Sequence, residues 1–309
     1  MNRSYSQFST FALCPRKHVL GRKYESKVKA TALAEGDIFH LCLGKMYAQG
    51  DADAGLEVFK VTREQYLKDA KEGGASTESI ERMIVKFASL EAMLKAYREK
   101  IFPGDMARYD ILAVEKSFDI KVARGLRLRG YVDGIWRDKS SGVRFIMEHK
   151  YKTSHEEDLM HLDLQVSLYT AAMIEEYGPL PTFYNVALKP QNRMKKNETH
   201  HDFVTRIYTD VTEKMTGFLY SPGDFACDRF VRKTYSRGKT ELKAAIDQIT
   251  SMDRVMRRVE KHPELAWRNV GDHCLWLCSF RPVCIDEDPM DVNRLYELKQ
   301  RMEPKKESV

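Results

Sequence analysis

The stretch Gly130 to Lys150, GYVDGIWRDKSSGVRFIMEHK, constrains the fold more than any other part of this chain. Apolar residues flank a short Asp-Lys-Ser-Ser-Gly segment on both sides, which predicts two strands joined by a tight turn into an antiparallel hairpin. Side chains alternate along a strand, so Glu148 and Lys150 share one face while His149 points to the other. The turn brings Asp133 opposite Glu148 on the neighbouring strand. Two carboxylates and a lysine at a strand end can hold a hard divalent cation and a water. Three charges on a solvated hairpin are the plainer alternative. Tyr131, Val132, Ile135, Trp136, Phe145, Ile146 and Met147 argue for an interior hairpin, where paired carboxylates repel each other and need a cation.

The rest of the chain divides by pattern. Residues 4–13 predict a short helix capped by Ser4 or Ser6, ended by Cys14-Pro15, with a second short helix through Leu20. Residues 29–49, 61–72 and 77–100 predict further helices, the last two parted by Gly73-Gly74, and the last carries a core stripe at Ile80, Ile84, Phe87, Leu90, Leu94 and Tyr97. Pro103-Gly104 closes this region, and strands follow at Ile111–Val122 and in the hairpin. A helix over 156–177, strands near 183–188 and 203–208 with a basic loop 189–197 between them, and a helical segment after Pro222 with a long helix over 239–261 complete the pattern. Strands interleaved with helices indicate an α/β fold, a mixed central sheet flanked by helices. The boundaries read as 1–104 for an N-terminal cysteine element and helical region, 105–215 for the core, 216–290 for C-terminal helices and a cysteine segment, and 291–309 for a flexible tail.

The chain has 309 residues, 43% of them hydrophobic, enough for a sizeable core. Its apolar runs are too short for a membrane span, and the N-terminus lacks a signal-peptide pattern, so a cytoplasmic protein with no membrane partner is expected. The net charge of +6 arises from 51 basic residues, which permits a nucleic-acid groove without demanding one. The basic residues Arg229, Arg232, Lys233 and Arg237 read either as a solvated face or as nucleic-acid contacts. Six cysteines stand at 14, 42, 227, 274, 278 and 284. Three within eleven residues point to a metal centre rather than a disulfide framework. Cys42 and Cys227 read as core thiols.

Taken in order, Gly36-Asp-Ile-Phe-His40, Asp133, Glu148-His-Lys150 and Gln165-Val-Ser-Leu-Tyr169 resemble the Gly-x-x-x-His, Asp, (Asp/Glu)-x-Lys and Gln-x-x-x-Tyr series of RecB-type nucleases in the PD-(D/E)XK superfamily. The resemblance implies a restriction-endonuclease-like sheet and metal-dependent hydrolysis of DNA, with an exonuclease acting on ends or single strands as the expected form. It implies that Asp133 and Glu148, with His40 and the backbone carbonyl of His149, bind Mg²⁺ or Mn²⁺, and that Lys150 orients the attacking water. Gln165, Tyr169 and Lys152 would contact DNA, and Glu115 would support the metal from the preceding strand. A DNA-end-binding adaptor in a recombination, repair or CRISPR-associated complex is the alternative expectation.

The element Ser6-Gln-Phe-Ser-Thr-Phe-Ala-Leu-Cys14-Pro also resembles the N-terminal cysteine motif of the iron-sulfur subgroup, which includes AddB-like and CRISPR-associated RecB-like nucleases. That resemblance implies a [4Fe-4S] cluster on Cys14, Cys274, Cys278 and Cys284. The chain departs from the commonest pattern by three residues, not two, between Cys274 and Cys278. A four-cysteine zinc site, or thiols without metal, remain open readings.

Overall fold

The hairpin forms as its turn chemistry dictates. In the computed structural model, Asp138 Oδ1 accepts the amides of Ser140 and Ser141, both at 2.9 Å, and Gly142 takes the left-handed φ of +73° that closes the turn. The structure describes the chain except residues 27–30, 155–159, 161, 216–224, 227, 228, 277, 287–291, 294 and 300–309, and the side chains of 31–34, 225, 226 and 276.

The N-terminal element is strand β1 (Asn2–Arg3) followed by helices α1 (Tyr5–Leu13) and α2 (Pro15–Lys23). Ser4 caps α1 in a reciprocal box with Gln7, and Pro15 opens α2 where its missing N–H costs nothing. Strand β2 (Tyr24–Ser26) leads to helices α3 (Thr31–Gln49), α4 (Ala52–Glu72), α5 (Thr77–Lys100) and α6 (Phe102–Arg108). The sheet strands β3 (Tyr109–Ala123), β4 (Leu126–Asp138) and β5 (Arg144–Lys152) come next, then α7 (Leu164–Tyr177), β6 (Thr182–Leu188), α8 (His200–Glu213), β7 (Phe225–Ala226), β8 (Phe230–Tyr235) and α9 (Lys239–Lys261). Short helices at His273–Trp276 and Arg281–Ile285 and strand β9 (Tyr296–Leu298) end the described chain.

The main sheet runs β1-β4-β5-β6-β8-β7, with β3 along the other side of β4. It is mixed: β3-β4, β4-β5 and β6-β8 pair antiparallel, β1-β4 and β5-β6 parallel. The two faces bury different cores. Phe145, Met147 and Tyr151 of β5 pack under α3 to α6 and α8, whereas Ile146 joins Leu168 of α7 and Ile249 of α9 on the opposite face. This restriction-endonuclease-like architecture agrees with the mixed sheet and flanking helices expected from the sequence.

Several local expectations need correction. Residues 203–208 lie inside helix α8: Thr199 caps it, and Phe203, Val204, Ile207 and Val211 form one buried helical stripe. Among the described residues between Pro222 and α9 the chain is strand and not helix, and Arg232 of β8 is fully buried against Asp105 instead of on a solvated basic face, while the long helix expected over 239–261 is α9. Arg237 is also buried, on Ser167 and the Met160 carbonyl. Helix α4 starts at Ala52, nine residues before the sequence signal, on the Asp51 cap. The helix expected over 156–177 is described from Leu164, and most of its earlier part lies outside the described residues, as do residues 29 and 30 of the helix expected over 29–49. Within the segment expected to be a flexible tail from 291, β9 pairs antiparallel with β2; residues 300–309 lie outside the described residues.

Candidate active site

The strands β4 and β5 part at one end of their pairing. Their register runs from Arg137 opposite Arg144 to Gly134 opposite Met147 and stops there. One step further, the Asp133 side chain takes over the role of a backbone acceptor: its Oδ2 accepts the His149 amide at 2.7 Å. The same oxygen lies 3.0 Å from Nδ1 of His40, carried on α3. Burial works against the Asp133 charge, but His40 outweighs it and holds the carboxyl below its ordinary value. Against burial, the charge of Asp133 raises the His40 imidazole. The helix face and the strand end are joined by this pair.

Glu148 and Lys150 lie on one face of β5, as alternation requires. Lys150 Nζ donates to Glu148 Oε1 at 2.6 Å and to Gln165 Oε1 at 2.8 Å, and Gln165 Nε2 donates to the same Glu148 oxygen at 2.9 Å. Gln165 is set by the first turn of α7, where Asp163 caps its amide at 2.8 Å. The other oxygen, Glu148 Oε2, is buried with no hydrogen-bond partner among the described residues. A buried bare carboxylate oxygen is costly. Burial, and next the charge of Asp133, raise the Glu148 carboxyl, while burial opposes but Glu148 outweighs it to raise the Lys150 ammonium. An oxygen of this kind beside a second carboxylate is a fitting ligand for a hard divalent cation.

His149 shows the reverse face. Its imidazole is buried, stacked on Tyr47 at 5.7 Å, and Nδ1 lies 2.8 Å from Asn185 Nδ2. Burial lowers its pKa to about 3, so the ring is neutral, and only the backbone of His149 faces the strand end. Asn185 Oδ1 in turn accepts from Arg232, which pairs with Asp105 at 2.7 Å. A buried polar frame thus stands behind the two catalytic candidates on β5.

The other expected residues divide. Glu115 lies in β3 between the pairs Val114 opposite Gly134 and Lys116 opposite Val132, with φ of +49°. Its carboxyl is raised by burial and then by Asp133, which places it in the same electrostatic cluster. Tyr169 packs edge-on against Phe118, and its hydroxyl pKa rises through burial and the Glu148 charge. Lys152 Nζ lies 3.4 Å from Met160 Sδ and 5.7 Å from the Tyr184 ring centroid, half-withdrawn from the cluster. Sequence reasoning missed Asp163, whose second oxygen accepts the Tyr184 hydroxyl at 2.5 Å. Its place just before Leu164-Gln165 was the available signal, that of a helix cap.

Cys14, Cys274, Cys278 and Cys284 all line one cavity of about 500 Å³. None is in a disulfide. Among the described residues, however, no three His, Cys, Asp or Glu side chains stand close enough to form a metal-ligand set. Cys42 is a core thiol, its pKa pushed up to about 12 by burial; Cys227 lies outside the described residues.

The sequence profile of the PD-(D/E)XK nuclease superfamily matches residues 2–285, and the chain belongs to that superfamily. Membership implies a hydrolase acting on nucleic acid, in a superfamily that generally uses divalent metals such as Mg²⁺. The chain is similar to a crystal structure from Eubacterium rectale named "Putative exonuclease", at 14% identity and a TM-score of 0.41 over 89% of this chain and 92% of that one. No curated protein matches the chain. Among the described residues, no helix is long and apolar enough to cross a membrane.

Proposed function

We propose that this protein is a Mg²⁺- or Mn²⁺-dependent deoxyribonuclease acting on DNA ends or single strands. The observation that carries the reading is the buried Oε2 of Glu148 beside Asp133, unpartnered among the described residues, with Lys150 and Gln165 occupying the other Glu148 oxygen. Asp133, Glu148, His40 and the His149 carbonyl would hold the cation, the side chains drawing together on it because they do not stand spaced as a ligand set, and it would polarise the scissile phosphate and acidify a water. His40 lies against Asp133 and fixes it, and Gln165 fixes Lys150. Lys150 orients the attacking water and meets negative charge as it develops on the phosphate. Tyr169 and Lys152, on the α7 side, position the strand, and Glu115 supports the cluster from β3. The RecB-type order of these residues favours ends or single strands over internal duplex sites.

The test incubates purified protein with labelled single-stranded and double-stranded DNA, and with RNA, in Mn²⁺ or EDTA. Metal-dependent cleavage of DNA that is lost in Lys150→Ala, with the fold retained by circular dichroism, is expected. Full Mn²⁺-dependent activity in Lys150→Ala would overturn the mechanism. Binding of DNA ends with no metal-dependent cutting would replace it with an adaptor role in a recombination, repair or CRISPR-associated complex.

The shared cavity of Cys14, Cys274, Cys278 and Cys284 supports a thiolate-bound metal centre, read as a [4Fe-4S] cluster with zinc as the alternative. The sulfurs would have to draw together, because they are not spaced as a ligand set. Iron content and a broad visible band in anaerobically purified protein test it. Zinc without iron selects the alternative, and neither metal removes the centre.

A further inference from the structure

Helix α3 continues past His40, and β3 runs beside it. Between them lies an open groove of about 550 Å³. His40 and Glu115 both line it, and His40 lies 3.0 Å from Asp133, so the groove adjoins the cluster around Asp133. Lys45 and Ala48 line it one to two turns further along α3. From His40 to Ala48 the helix advances by about 12 Å at its usual rise.

The lining changes character along that length. Asp37, one turn before His40, and Glu115 are its acidic lining. Gly44 keeps the floor low, and the Glu115 carboxylate stands beside it, 3.6 Å from where a Cβ would lie. Leu41 offers an apolar wall and is 49% exposed. Lys45 is exposed, and no ion pair engages it among the described residues. A cleft of a few hundred cubic ångströms takes a ligand about the size of a nucleotide.

We propose that the groove between α3 and β3 seats the nucleotide next to the scissile phosphate in a single nucleic-acid strand, with its sugar and base over Leu41 and Gly44 and the flanking phosphate on Lys45. This inference rests on the nuclease reading. It places substrate contacts on the flank of the cluster opposite Gln165 and Tyr169, so the strand crosses the site from α7 to α3.

Two exposed positions test it, Lys45→Ala to remove the charge and Ala48→Phe to fill the groove. Affinity for a labelled single-stranded oligonucleotide is measured by anisotropy in EDTA and in Ca²⁺, with circular dichroism confirming the fold. Both variants should bind several-fold more weakly, and the salt slope for Lys45→Ala should fall by about 0.7, as for one lost phosphate contact on a single strand. With Mn²⁺, KM for the oligonucleotide should rise while hydrolysis of bis(p-nitrophenyl) phosphate, which has no sugar, base or flanking phosphate, stays unchanged. Unaltered affinity and KM in both variants would overturn the groove. A wild-type protein that cleaves neither substrate sinks the nuclease reading, and the anisotropy arm still decides whether the groove binds a strand.

Discussion

Asp133 bonds the backbone of His149, the residue between Glu148 and Lys150, at 2.7 Å. The contact does two jobs, holding the end of β5 and presenting a carboxylate there. The two separate by substitution. Asp133→Asn keeps an acceptor for the amide and loses the charge that pairs with His40, so thermal stability should stay near wild type while Mn²⁺ binding by calorimetry is lost. Asp133→Ala also strands a buried amide, which costs about 1–3 kcal/mol. Equal melting temperatures for the two variants would contradict the first of these jobs.

The carboxyl of Glu148 is raised above its ordinary value, chiefly by burial and then by Asp133. A cation needs the ionised form, so binding must expel a proton as pH falls. Mn²⁺ affinity should therefore weaken with falling pH from a point above the ordinary glutamate value of about 4.3. Calorimetry at stepped pH checks it; an affinity that holds steady down to that value would show an unburdened carboxylate.

Glu260 at the end of α9 gathers Arg3 at 2.6 Å, His18 at 2.8 Å and Arg22 at 3.0 Å. Burial opposes its charge, but His18 and Arg3 prevail, lowering it to about 2. A depressed folded-state pKa adds stability that is present above the unfolded value and is lost as pH falls through the folded one. Wild type should thus lose stability between roughly pH 4.3, the reference glutamate value, and about 2. Glu260→Gln should remove this part of the acid response, as read from urea midpoints across that range.

Arg232 and Asp105 are both fully buried and meet at 2.7 Å, far from solvent behind His149. Breaking such a pair leaves an uncompensated charge, so Arg232→Met should destabilise the fold by about 3–5 kcal/mol. Adding Asp105→Leu should recover part of the loss, because both charges are then gone. Urea unfolding of the three proteins measures the coupling; strictly additive losses would mean the pair is not the unit.

The hairpin, the long helices and the sheet class were legible because each rests on local periodicity and turn chemistry. The Asp138 turn and the Phe87 to Tyr97 stripe carry their own signals. The residues 203–208 misled because Phe203, Ile207 and their polar neighbours fit alternation over a short window, and only Val211 and the Thr199 cap reveal the helical period. Strand β8 was hidden by its charges: Arg232 within it, and Arg237 just after it, look solvated until Asp105 and Ser167, distant in sequence, are brought to them. At the site, the ordering of His40, Asp133, Glu148, Lys150 and Gln165 was legible, but the bare Oε2 of Glu148 was not, since only packing decides which oxygen is left over.

Strand β1 has a bearing on how the molecule is made. Arg3 finds its partners in Asp253 and Glu260, 250 and 257 residues later. At the ribosome these acids emerge only after Arg3 and the sheet strands between them, so β1 cannot settle until α9 has been made. Until then Arg3 keeps its charge in water, its dry pocket not yet made, and completion of the native fold is tied to completion of the α9 stretch of the message.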